Sequence, residues 1–282
     1  MKVVSTAQMQ EMDRLMTSEF GVSGNVLMDR AGFGVAEAVD ELARMSGMSE
    51  GCIRLVAGKG NNGGDAYVAA RYLKALDYDV DVLLAGSVGH IKGDALKHLE
   101  RMKQAGIKLT QISSPDDWEN MLEDALGHDG IVVDGVLGTG VRGPARGTAA
   151  GAIRFINAHR ARCPIVSIDV PSGLDSDTGQ APGDTVEADL TVTMALPTTG
   201  LLQPDALPYV GCLDVIDIGF DAELIERYTS DLDFISAADC QQNLVARERA
   251  AHKGTFGHVL IVGGAASYSG AVILATRAAL RS

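Results

Sequence analysis

Three glycine-rich stretches of this chain carry side chains able to do chemistry: GKGNNGGD at 58–65, DGVLGTGVRGP at 134–144 and DVPSGLDSDTG at 169–179. In the first, Gly58, Gly60 and Gly63 satisfy the G-x-G-x-x-G dinucleotide spacing, with Asp79 or Asp81 available as the later ribose acid. That fingerprint normally turns bare backbone N–H groups toward a pyrophosphate. Here Asp65 stands at the start of the predicted helix, where a carboxylate competes with phosphate for the positive helix end. Asn61 and Asn62 add uncharged amide donors and acceptors. The loop suits a polar, partly uncharged part of a ligand, or the ordering of a cation; capping of the turn and helix is the competing use of the same residues. In the second stretch, the N–H groups around Gly138, Gly140 and Gly143, with Thr139 and Arg142, could hold phosphates, or form a plain turn. In the third, Asp169 ends an apolar run and is a candidate general acid or base. Pro171 stiffens the turn after it, Gly173 allows close approach, and Asp175 and Asp177 are expected in solvent. Asn62, Asp134 and Ser172 all present oxygens, the donor set of a hard monovalent or divalent cation, and no histidine or cysteine competes for the role.

Three successive loops can meet only if the elements between them bring their ends to one edge. CIRLVAG, YDVDVLLAG, GIVVDGVLG, CPIVSIDV, ADLTVTMAL and GCLDVIDIG read as strands, with helices over 65–76, 92–105 and 148–160 between the earlier ones. This alternation predicts an α/β doubly wound three-layer sandwich with a mostly parallel sheet, in which turns at the carboxyl ends of the strands share one edge. Upstream, Ser5 and Gln8 match a capping box, Met9, Met12 and Met16 recur at helical spacing, and Val26, Leu27, Ala31, Val35, Ala38 and Val39 make one apolar stripe. The methionines are expected to pack the core rather than form a site. After residue 221 the chain turns charged until HVLIVGG, a predicted strand at 258–264 leading through a glycine loop into a helix. One such βα unit cannot bury its own apolar faces, so residues 227–282 read as a linker and the opening of a second domain.

With 46% hydrophobic and 22% charged residues among 282, the composition is that of a soluble globular protein, and a net charge of −13 excludes general binding to nucleic acid or to an anionic membrane surface. The four cysteines are singletons, as reduced structural residues would be. No signal peptide and no membrane span is read, so the cytoplasm is the expected compartment.

AGKGNNGGDAYVAARYL, VVDGVLGTGVRGP and SIDVPSGLDSDTG, with LMDRAG at 27–32 and GCLDVIDIGF at 211–220, resemble in order and spacing the YjeF N-terminal family, the NAD(P)H-hydrate epimerases, over residues 5–226. The tail from His252 resembles the start of the ADP-dependent NAD(P)H-hydrate dehydratase domain, ribokinase-like in fold, which in bifunctional members follows the epimerase domain. The resemblance implies a Rossmann-like fold and a substrate, NADHX or NADPHX, the nicotinamide cofactor hydrated at C6, whose R and S forms the enzyme interconverts. It implies that Asn61, Asn62, Gly63, Gly64 and Asp65, with Gly138, Thr139, Gly140, Val141, Arg142, Gly143 and Pro144, contact this dinucleotide. Asp169 would bind it at the reacting centre, and Asn62, Asp134 and Ser172 would hold K+. ADP or ATP and Mg2+ would belong only to the dehydratase domain, and a homo-oligomer, most simply a dimer, is implied. Lys59 replaces the family's usual proline and Thr198 a frequent lysine. The competing classes are an NAD-dependent oxidoreductase, suggested by the bare glycine spacing, and a catalytically silent scaffold; the intact NNGGD, Asp134 and Asp169 set favours the epimerase.

Overall fold

The computed structural model describes residues 1–48, 51–121, 130–140, 142–228, 232–243, 250–251, 254–255, 257–265 and 267–281. The described chain divides into two units, Met1–Phe234 and Ile235–Ser282.

In the first unit the Ser5–Gln8 capping box forms as the spacing predicts and starts α1 (Thr6–Ser18). In α2 (Gly24–Met45) the stripe Leu27, Ala31, Val35, Ala38 and Val39 is buried, whereas Val26, expected in it, is 39% exposed at the helix start. Strands and helices then alternate: β1 (Cys52–Ala57), α3 (Asn61–Ala75), β2 (Asp79–Ala85), α4 (Gly93–Gln104), β3 (Lys108–Ile112), α5 (Pro115–Asn120), β4 (Gly130–Gly135), α6 (Thr148–Ala158) and β5 (Ile165–Ile168). β6 (Leu190–Met194), the short α7 (Leu207–Val210), β7 (Cys212–Ile216) and α8 (Ala222–Glu226) complete the unit.

The seven strands form one sheet in the order β3-β2-β1-β4-β5-β6-β7, and every neighbouring pair is parallel. The central strands carry branched apolar residues on both faces, as a doubly covered sheet requires. β4, for example, is buried along its whole length. On one face Val35, Val39, Val68, Leu73 and Leu99 of α2, α3 and α4 pack against Ile53, Leu55 and Val133 of the sheet. On the other, Trp118 of α5 and Ile153, Phe155 and Ile156 of α6 pack against Val56, Val132 and Ile165. A third cluster joins Met12 and Met16 of α1 to Leu27 and Ala31 of α2, Ile218 and Leu224. β3, KLTQI, is a strand that the apolar pattern did not announce: it lies at the sheet edge, where only Ile112 is buried.

In the second unit α9 (Ala237–Asn243) and α10 (Gly270–Ala279) are present. The strand expected at 258–264 does not form, and Val259, Leu260 and Val262 are exposed. A strand is stabilised by its ladder and a covered face, and residues 257–265 have neither. Among the described residues no helix is long and apolar enough to cross a membrane.

Candidate functional site

The strand order reverses between β1 and β4, which leaves a crevice outside their carboxyl ends. Two glycines let the chain close around it. Gly58 N donates to Gly135 O at 2.8 Å, and a Cβ on Gly58 would stand 1.9 Å from Val136 O. A Cβ on Gly63 would stand 2.1 Å from Gly58 O. α3 therefore begins at Asn61, one turn earlier than its apolar pattern suggests, with Gly60 as an extended N-cap. Asp65 consequently lies in the second turn and not at the helix start. Asn61 is exposed at the mouth of the crevice, while Asn62 is only 7% exposed and neither its Oδ1 nor its Nδ2 has a hydrogen-bond partner among the described residues. Gly64 packs against the Met28 side chain, and Gly63 and Gly64 shape the turn rather than line the crevice.

Asp134, in β4, is completely buried. Its Oδ1 accepts from Ser172 Oγ at 2.6 Å and Val136 N at 3.1 Å, and its Oδ2 from Ser172 N at 2.8 Å and Ser167 Oγ at 3.0 Å. Burial raises its pKa although these four donors oppose the shift. Ser172 Oγ in turn accepts from Leu137 N at 2.8 Å, so this carboxylate binds the loops after β4 and β5 together.

Asp169, directly after β5, has φ +68°, a left-handed conformation that costs a non-glycine residue roughly 1–3 kcal/mol and clusters at functional sites. Its N–H donates to Val192 O at 2.8 Å and its Oδ2 accepts from Thr139 N at 3.2 Å. Burial raises its carboxyl to about 6, partly offset by the Thr139 hydrogen bonds. Asp65, with no partner of its own among the described residues, is raised well above the ordinary carboxylate range, first by burial and then by the charges of Asp169 and Asp13.

Asn62, Asp65 and Asp169 line one cleft of about 730 Å³, beneath which Asp134 and Ser172 are buried. Leu27, Met28, Ala31, Met194 and Ile218 give it an apolar wall, Asp13, Asp65 and Asp169 carboxylates, and Arg14, Lys59 and Arg146 cations. Among the expected site residues, Asn61, Asn62, Asp65, Gly138, Thr139, Gly140 and Asp169 line it. Val141 falls outside the described residues. The Arg142 side chain is exposed and pairs with Asp177 at 3.6 Å, Gly143 lies beside Gly173 and Asp175, and Pro144 packs at Gly183, all away from the cleft. Lys59 lays its methylenes over Gly86 at the end of β2, and Thr198 is buried with its hydroxyl unpartnered.

Three expectations change. Asp79 and Asp81 belong to the start of β2, the sheet edge opposite the cleft, and Asp81 faces Arg54 of β1, with Nη2–Oδ2 at 2.9 Å; neither can serve as a ribose acid. Asp177 accepts from Thr6 N at 2.7 Å and so holds the start of α1, although its loop position suggested solvent. Met9, read as core, packs against the Met12 and Met16 cluster as expected but also lines the cleft. Asp13 was not singled out from the sequence, because an acid on a surface helix carries no local signal; the cleft spacing Met9, Asp13, Thr17, once the wall is known, identifies it.

Residues 24–200 match the family of YjeF-related protein N-termini. The chain is 38% identical to the bifunctional NAD(P)H-hydrate repair enzyme Nnr of Moorella thermoacetica over 283 aligned residues, covering all of this chain and 52% of that protein. It is 35% identical to the NAD(P)H-hydrate epimerase of Rhodopirellula baltica over 79% of this chain and 86% of that one. It thus spans about half the length of the bifunctional relatives and most of the monofunctional one. The crystal structure of yeast ynu0 superposes with a TM-score of 0.62 at 29% identity, over 71% of this chain and 83% of that one. A sheet with its switch point at GNNGGD, its acids at the tips of β4 and β5, and this family match over 24–200 together establish that the chain belongs to the family of YjeF-related protein N-termini.

Proposed function

We propose that this chain interconverts the R and S forms of NADH or NADPH hydrated at C6. The observation that carries the reading is Asp169: a carboxyl near pKa 6, fixed by a left-handed backbone, at the switch-point cleft of a fold whose relative is an NAD(P)H-hydrate epimerase. C6 of the substrate bears both a hydroxyl and the ring nitrogen. Protonated Asp169 gives its proton to the hydroxyl as the C6–O bond breaks, water departs, and the nitrogen lone pair closes a C6=N bond. Water adding to C6 restores the carbinolamine and returns a proton to a carboxylate. A group with pKa near working pH suits both halves, and such acid–base help is worth about 10²–10⁴ in rate. The apolar wall of Leu27, Met28 and Ala31 fits a partly saturated ring, and Lys59, Arg146 and the N–H groups of Gly138 and Gly140 suit its phosphates.

Potassium belongs to the same proposal. The buried Asn62 Oδ1, without a partner among the described residues, fits a hard cation, with the Asp134 charge and Ser172 supporting it; Asp134's own acceptor positions are already taken by protein donors. When bound, the ion supplies a fixed positive charge that orders the loops. Incubation of R-NADHX with the chain and a separate S-specific dehydratase should consume the R form completely. Persistence of the R form, with the dehydratase shown active on S, overturns the reading. ADP-dependent dehydration is proposed only for a longer bifunctional protein like the Moorella relative, of which this chain covers 52%.

A further inference from the structure

We propose that Asp13 of α1 is the second acid–base group of this reaction, serving the ring face opposite to the one served by Asp169; the inference rests on the epimerase reading above. Epimerisation removes a hydroxyl from one face of C6 and restores it on the other, and a carboxyl fixed on one wall reaches one face. Asp13 lies on a wall that the sheet does not supply: α1 turns Met9, Asp13 and Thr17, spaced by four, into the cleft.

The Asp13 carboxylate makes no hydrogen bond or ion pair among the described residues, which leaves both oxygens for a ligand. Arg14, its neighbour on α1, is engaged by Glu11 at 2.6 Å. The other charged groups of the cleft are Asp65 from α3, Asp169, Lys59 and Arg146, and neither cation pairs with Asp13. A separate observation marks the same cleft as a polar ligand site: Asn62, 7% exposed, keeps both amide atoms unpartnered among the described residues. α1 is also held to the reacting centre. Thr6 N donates to Asp177 Oδ1 at 2.7 Å, and Thr6 Oγ1 lies 2.7 Å from Ser176 Oγ, in the loop that follows Asp169. The Asp13 side chain is open to water, yet the surrounding protein and then the charge of Asp169 lift its carboxyl to about 6, matching Asp169.

In one direction Asp169 protonates the departing hydroxyl while the nitrogen lone pair forms C6=N. Water then attacks C6 from the opposite face and gives its extra proton to the Asp13 carboxylate. The reverse direction exchanges the roles, and solvent returns the proton. Nothing is oxidised or reduced.

The test uses the full chain with potassium, R-NADHX and the S-specific dehydratase. Asp13→Asn should lower kcat by about 10²–10⁴ while KM stays within about threefold. One of the two limbs of the pH–rate profile near 6 should vanish, and Asp13→Glu should recover at least part of the rate. A folded Asp13→Asn with wild-type kcat and an unchanged profile overturns the proposal and leaves the epimerase reading standing. Should Asp13→Asn fail to fold, wild-type kcat in Asp13→Ser overturns it equally. A wild-type chain that leaves R-NADHX unconverted overturns both.

Discussion

Asp169 combines backbone strain with a carboxyl that folding keeps protonated to unusually high pH. Its folded pKa of about 6 lies above the ordinary 3.8, so between those values the folded state holds a proton that the unfolded chain has released. Stability therefore falls as pH rises through that window. Asp169→Asn removes the penalty, and asparagine is tolerated in the left-handed region. The variant should lose about 10²–10⁴ in kcat. It should also be more stable than wild type at pH 8, by about 1–3 kcal/mol, with the gain shrinking toward pH 4 in paired thermal melts. A gain over wild type that is equal at both pH values would show that Asp169 is not held protonated. Asn62 offers the second residue-scale prediction. Potassium should raise wild-type kcat/KM over choline chloride at equal ionic strength, and Asn62→Ala should abolish the difference. The candidate acids at strand ends were legible because a carboxylate closing an apolar run demands a partner or a use. Asp13 was not, since the acids it shares the cleft with, Asp65 and Asp169, are distant from it in the chain.

At the scale of elements, the site depends on how closely the turn after β1 meets β4 and how firmly α1 is docked. Gly58→Ala would force a Cβ to 1.9 Å from Val136 O, a backbone atom that cannot swing aside. It should cost about 2–4 kcal/mol in urea denaturation, whereas Gly60→Ala, with open space around it, should cost well under 1 kcal/mol. Asp177→Ala removes the acceptor of Thr6 N, a loss comparable to that of a helix cap at about 0.5–2 kcal/mol. Hydrogen exchange should quicken at the start of α1 while the sheet amides keep their protection, and kcat/KM should fall with the displaced Asp13. Most elements follow from apolar periodicity and caps. The start of α3 did not, because two glycines at 63 and 64 weaken the helical pattern where close backbone approach requires them.

At the scale of the molecule, Met1–Phe234 contains the seven-stranded sheet, four core clusters and the cleft. A chain ending at Phe234 should fold and convert R-NADHX with kcat within about threefold of the full chain, as a domain with its own core would. Failure of that shorter chain to fold would assign residues 235–282 a structural role. Alternating strands and helices, parallel pairing and the edge on which the three loops meet are determined by the sequence alone, because period, caps and crossover hand are local or nearly universal rules. What only the tertiary structure decided is which oxygens are free. Packing spends the acceptors of Asp134 on two serine hydroxyls and two backbone amides, leaves Asn62 without a partner among the described residues, turns Arg142 outward to Asp177, and lays α1 across the cleft so that Asp13 faces the same space as Asp169. Hydrogen-bond saturation and desolvation depend on atoms distant in sequence, and no spacing along the chain encodes them.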